Sequence, residues 1–135
     1  MSFEGEDRRT EARERALALL YEADAKDTDP IELVAALAVP PDPLATTLVE
    51  GVAREQGRID ELITRYLRGW TIERMALVDR LVLSIATFEL LGRPDVPTPV
   101  VIDEAVELAK RYSTEESGKF VNGMLSSIAA DARPG

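Results

Sequence analysis

The residues in this chain best suited to chemistry are cations at helical spacing, and their chemistry is the recognition of phosphate. Arg8, Arg9, Arg13 and Arg15 crowd the start of a chain that otherwise carries 25 acidic against 16 basic residues, a net charge of -9. Arg9 and Arg13 stand four apart and share a helix face that continues into Leu17, Leu20 and Tyr21. Such a ridge beside a packed face can hold RNA phosphates, because the planar guanidinium fork grips two oxygens at once and stacks on bases. The same run also reads as a solvated helix end in which Glu11 and Glu14 neutralise the arginines. Lys119-Phe120 is the second candidate: a cation next to an aromatic ring is what a single-stranded base and its phosphate require. Periodicity puts Phe120 in the core, and Lys119 outside it.

Other chemistries lack their reagents. The chain has no His and no Cys, so the commonest general base, the thiolate nucleophile and the usual zinc ligands are all missing. Glu89 falls four after Ile85 and seven after Val82, on or beside an apolar helix stripe. A carboxylate there must be paired, and a contact that locks the bundle is expected rather than catalysis, since no second titrating group can be nominated. Asp79, Arg80 and Glu116 read alone as surface charges, and Asp103, Glu104 and Glu107 as the acidic first turns of a helix. A binding protein without enzyme activity, metal or cofactor is expected.

Helices must position these groups, because apolar residues recur at three-and-four spacing nearly everywhere and no strand-like alternation is sustained. The expected fold is all-α, in one domain of 135 residues. The first helix spans about 7–25, ended by a turn at Asp27 to Pro30, with Asp29 as N-cap of a short helix over 31–38. Prolines 40, 41 and 43 stop that helix, and a long third one follows from Leu44 toward Gly69, weakened by Gly51 and Gly57. Thr71 caps a fourth, whose Met75, Val78, Leu81, Val82, Ile85 and Phe88 form one stripe until Gly92-Arg93-Pro94. The fifth starts near Pro99 and carries Val101, Ala105, Leu108 and Tyr112 on one face of an amphipathic helix. Ser113 and Glu116 have capping-box spacing for the sixth, which buries Phe120, Val121, Met124, Leu125 and Ile128 and runs through Asn122-Gly123; there Gly123 would admit a neighbouring helix. The tail from Asp131 should fray. Gly69-Trp70 divides the chain into two sets of three helices, 1–69 and 70–135. No apolar run approaches the roughly 20 residues of a membrane span, and the N-terminus lacks signal-peptide order, so a cytoplasmic protein is expected.

The segment PVVIDEAVELAKRYSTEESGKFVNGML, from Pro99 to Leu125, resembles the C-terminal signature of the bacterial transcription antitermination factor NusB family. The resemblance extends back through Trp70, Val78-Asp79-Arg80 and Phe88-Glu89-Leu90 to Arg13 and Leu20-Tyr21, which is nearly the whole chain. It implies two packed three-helix bundles. It also implies a function of binding rather than catalysis: pairing with a small-subunit ribosomal protein, NusE, and joint recognition of the single-stranded boxA element in leader and ribosomal RNA transcripts. The outcome is read-through of terminators by RNA polymerase, with other Nus factors engaged indirectly.

Position by position, the resemblance places RNA contacts on Arg8, Arg9, Arg13, Lys119 and Phe120, and protein-partner contacts on Tyr21, Asp79 and Glu116. Acidic partner contacts suit a basic ribosomal protein. Thr10 and Glu11 stand where many relatives are more basic, which dilutes the arginine motif. A self-associating helical adaptor, a homodimer through the Arg/Tyr21 face with little RNA affinity of its own, is the alternative.

Overall fold

The computed structural model describes residues 3–134, with side chains from Arg8 onward. Seven α-helices and one 3-10 turn make up the ordered elements among the described residues: α1 (Phe3–Ala25), α2 (Pro30–Ala35), α3 (Pro43–Arg54), α4 (Gln56–Tyr66), the turn Ile72–Arg74, α5 (Leu77–Gly92), α6 (Thr98–Tyr112) and α7 (Glu115–Ala132). The protein is all-α, two packed three-helix bundles: α1 with α2 and α3, and α5 with α6 and α7. Helix α4 lies between them, touching α3 on one side and α5 and α7 on the other.

The starts of these helices follow from local chemistry. Asp29 accepts a hydrogen bond from the Ile31 amide (2.9 Å), and Asp42 from that of Leu44 (2.8 Å). Each is followed by a proline at the first helical position, where no amide hydrogen is needed. The third helix expected from periodicity is two helices: the chain breaks at Glu55, between Gly51 and Gly57, and re-starts at Gln56. Gly51 has a packing reason as well, since a Cβ there would sit 2.2 Å from the tip of the Phe88 ring. Gly69 adopts the left-handed conformation (φ +81) in the linker after α4. Thr71 caps only the 3-10 turn, and α5 begins six residues later.

Helix α5 is the central post. It contacts α1, α3, α4, α6 and α7, so Leu83, Ser84 and Thr87 are buried along with the expected Val82 and Ile85. A single stripe was too narrow an expectation for a helix enclosed on nearly every side. The capping box of the last helix is displaced by one residue: Thr114, not Ser113, is the N-cap, accepting from the Ser117 amide (3.0 Å), and Glu116 points out to solvent. Gly123 lies inside α7 as expected, but nothing comes within 4 Å of where its Cβ would be, so it admits no helix.

The C-terminal tail does not fray over the described residues. Asp131 accepts hydrogen bonds from Arg65 (2.6 Å) and Tyr66 (2.7 Å), tying α7 to α4. The Arg133 guanidinium donates to the carbonyls of Glu89, Leu90, Arg93 and Val96 and to the Thr98 hydroxyl, at 2.7 to 3.1 Å. The Leu90 carbonyl, left open at the end of α5, is thereby satisfied by a side chain from the end of α7, while those of Glu89 and Arg93 also accept the Arg93 and Val96 amides. Gly135 lies outside the described residues. No helix among the described residues is long and apolar enough to cross a membrane.

Candidate nucleic-acid interface

The arginines of α1 do not form one ridge. Two turns of helix rotate them onto different surroundings, and the four-residue step from Arg9 to Arg13 runs from solvent into the core. Arg13 is only 2 % exposed. Its Nε donates to Glu89 Oε2 (2.8 Å), its Nη2 to Glu89 Oε1 (2.9 Å), and its Nη1 to Glu104 Oε1 (3.2 Å). Glu89 also accepts from Arg93 (2.9 Å), and Glu104 from the Thr10 hydroxyl (2.7 Å). Burial works against the Arg13 charge, but the hydrogen bonds and negative charge of Glu89, aided by Glu104, outweigh it and raise its pKa. The expectation that Arg13 offers its guanidinium to RNA is therefore corrected: the fork is occupied by two carboxylates inside the protein, and it pins α1 to α5 and α6. Glu89 is paired as anticipated.

Arg8 and Arg9 remain at the surface, in two different grooves. Arg9 borders an open cavity of about 460 Å3 with Arg13, Arg93, Asp95, Asp103 and Glu104. Arg8 borders another with Glu11, Arg15 and Asp42. Carboxylates line both, which lowers their attraction for a polyanion. Glu14, read from sequence as a neutraliser of its own helix, instead bonds across to α6: it accepts from the Tyr112 hydroxyl (2.6 Å) and Arg111 (2.7 Å). The hydrogen bond from Tyr112, and behind it those and the charge of Arg111, overcome partial burial and hold the Glu14 carboxyl below its ordinary pKa. Tyr112 is half exposed at the end of α6.

Lys119 and Phe120 open onto a third groove, of about 320 Å3, between the α4–α5 linker and α7. Lys119 is exposed, and among the described residues its one ion pair is with the solvent-facing Glu116 (3.5 Å). Phe120 is partly buried: one side packs on the core, and the ring meets Trp70 at a centroid distance of 5.6 Å and an interplanar angle of 47°. Trp70, to which the residue reading assigned no role, keeps 39 % of its surface exposed. The signal for it was present: a tryptophan beside Arg68 and Gly69 in a linker has no apolar periodicity to serve.

The three positions assigned to a protein partner are not alike. Tyr21 is half exposed on α1, off the packed face of Leu17 and Leu20. Glu116 is fully at the surface. Asp79 is 8 % exposed, which corrects its reading as a surface charge. Its Oδ2 accepts from the Ser117 hydroxyl (3.0 Å), while its Oδ1 is buried without a hydrogen-bond partner among the described residues. The Asp79–Ser117 bond sets Asp79 beside the first turn of α7, where Glu116 also lies. Among the described residues no group of three metal-ligating side chains is gathered.

An all-helical module whose buried carboxylate Glu89 is neutralised by Arg13 and Arg93, and whose groove at Lys119 and Phe120 is lined without a carboxylate, has the build of a binding protein. The NusB family model matches residues 10–130. The transcription antitermination protein NusB of Acidothermus cellulolyticus is 48% identical over 127 residues, 91% of this chain and 88% of that protein. That of Saccharopolyspora erythraea is 48% identical over 127 residues, 90% and 86% of the two chains. Among solved structures, NusB of T. maritima superposes with a TM-score of 0.84 at 39% identity, covering 93% of each chain. A second, of the antitermination factors NusB and NusE in complex with dsRNA, gives 0.77 at 31% identity over 92% of this chain and 96% of that one. The chain belongs to the NusB family.

Proposed function

We propose that this protein is a transcription antitermination factor that binds single-stranded boxA RNA as one half of a pair with the ribosomal protein NusE, in the cytoplasm, and so supports read-through by RNA polymerase. The observation that carries this reading is the family match over residues 10–130, which takes in α1 from Thr10 onward and the Lys119-Phe120 segment, with Arg8 and Arg9 just before it. The superposable complex of NusB and NusE with dsRNA supports both kinds of partner. Exposed Arg8, Arg9 and Lys119 supply phosphate contacts, and Phe120 an aromatic one. Arg13 acts indirectly by fixing the angle of α1. Tyr21 and Glu116 face the basic ribosomal partner, with Asp79 behind them shaping the start of α7. A net charge of -9 disfavours nonspecific RNA binding and favours encounter with a basic protein. The role is binding and not turnover, since Glu89 is held in ion pairs rather than poised for proton transfer.

Fluorescence anisotropy of a labelled boxA RNA, titrated with the protein alone and with NusE at several salt concentrations, tests this. Three phosphate contacts give a slope of log affinity against log salt of about -2, at roughly -0.7 per phosphate for single strands. The expected result is tight, salt-sensitive binding that is strongest with NusE and weakened by Arg8→Glu/Arg9→Glu, a pair whose exposure spares the fold. Absence of binding with NusE present, by a folded protein, would reject the RNA-reading role and leave the self-associating adaptor.

A further inference from the structure

The groove between the α4–α5 linker and α7 differs from the two that hold Arg8 and Arg9. Its lining includes Arg68, Trp70, Lys119, Phe120 and Gly123, and no carboxylate, in a protein with nine more negative than positive charges. Arg68 is exposed and makes no salt bridge among the described residues. Trp70 leaves 39 % of a large aromatic surface in water, while Phe120 backs it. Gly123 removes a side chain from the wall one helical turn beyond Lys119: it is exposed, and a Cβ there would meet nothing within 4 Å. A glycine inside a helix costs roughly 1 kcal/mol relative to alanine, and no packing among the described residues explains it.

We propose that Trp70 is a base-stacking surface for single-stranded RNA, with Phe120 as the ring that positions it and Arg68 joining Lys119 on the flanking phosphates. The inference rests on the RNA-reading function and extends it to two residues in the linker. A flat base fits beside the indole where Gly123 leaves the groove open. Every base has a π-face, so this contact adds affinity without choosing sequence. The absence of carboxylates from the lining is the charge complement that a sugar-phosphate chain needs, and it argues against a basic protein as the occupant.

Trp70 is the chain's only tryptophan, so its fluorescence reports this groove directly. The experiment titrates the full chain with NusE and a short single-stranded boxA RNA, reading Trp emission against a Trp70→Phe blank while anisotropy of the labelled RNA reports total binding. The expected result is quenching that saturates with the anisotropy. Trp70→Ala, shown folded by circular dichroism, should weaken binding about five- to 150-fold, the range for loss of one stacked base. Arg68→Gln/Lys119→Gln should flatten the salt slope by about 1.4. Rising anisotropy with unquenched Trp70 and unchanged Trp70→Ala affinity would overturn the stacking role and leave the RNA-reading function standing. Full quenching by NusE alone, with no further change from RNA, would assign the groove to protein. No anisotropy rise under any condition would overturn both.

Discussion

Arg13 and Lys119 are both cations in helices of the same acidic protein, yet they stand at opposite extremes of use. Arg13 sits at the junction of α1, α5 and α6, with its fork filled by Glu89 and Glu104 and almost no surface left. Lys119 stands on the outer face of α7 beside an aromatic pair, where its ammonium meets solvent and one mobile-length carboxylate at 3.5 Å. The difference teaches that the charge of a side chain says little about whom it serves. What decides is whether acids on other helices reach it. Arg13 meets acids 76 and 91 positions away in sequence, while the groove at Lys119 is free of them.

The sharpest way to break this contrast is to remove Arg13. Arg13→Ala leaves Glu89 buried with only Arg93 beside it, and breaking one partner of a buried pair costs about 3–5 kcal/mol. Urea denaturation should show this loss. Arg13→Met/Glu89→Leu, which removes both charges, should recover much of it, because the desolvation of the pair is then avoided. Lys119→Ala should leave the midpoint nearly unchanged while lowering RNA affinity. An Arg13→Ala protein of wild-type stability would mean that the network is idle and that Arg13 belongs with the surface cations after all.

How much of this was legible in the sequence follows from the same distinction. The all-helical architecture, the Asp29 cap, the breaks at proline and the pairing of Glu89 depend on residues near one another or on a single apolar stripe, so pattern reading reaches them. Arg13 looked like a ridge residue because spacing along α1 carries no information about α5 or α6. The long third helix broke at Glu55 because two glycines, each tolerable alone, flank that position, and one of them is required by Phe88 from another helix. The order of the tail is not legible in the sequence for the same reason: Arg133 finds its carbonyl partners on the end of α5 and the loop after it, some 40 residues back. In the binding surfaces, the exposure of Arg8, Arg9 and Lys119 followed from type, whereas the buried state of Asp79 and the pairing of Trp70 with Phe120 required the fold.

Gly123 sharpens the other side of the contrast. On a face shaped by packing, a glycine is protected by a neighbour, as Gly51 is by Phe88, where an added Cβ would lie 2.2 Å from the ring tip. On a face kept open for a ligand, replacement should improve the free protein. Gly123→Ala is therefore expected to stabilise by about 0.5–1 kcal/mol, from helix propensity and the restricted unfolded chain, as read from the shift in urea midpoint. Destabilisation would mean that the α7 surface packs against something in the free protein and that the groove is not open.

The smallest effect belongs to a solvated acid on the same helix as Arg13. Glu14 bonds Tyr112 and Arg111 across the α1–α6 boundary, and its pKa in the folded protein lies below the ordinary value of 4.5. A carboxyl with a depressed folded-state pKa binds protons more readily when unfolded. Its contribution is therefore complete above the unfolded pKa, falls as pH drops through the folded one, and is gone below both. Because the site is solvent-screened, the contribution should stay under about 1 kcal/mol. Urea midpoints measured from neutral pH to below pH 4 should converge for wild type and Glu14→Gln at the acid end, with wild type ahead at neutral pH. A gap that persists at the acid end would show that the neutral hydrogen bonds, not the charge, hold α1 to α6, and would place Glu14 with the packed contacts of α1 rather than with its solvated ones.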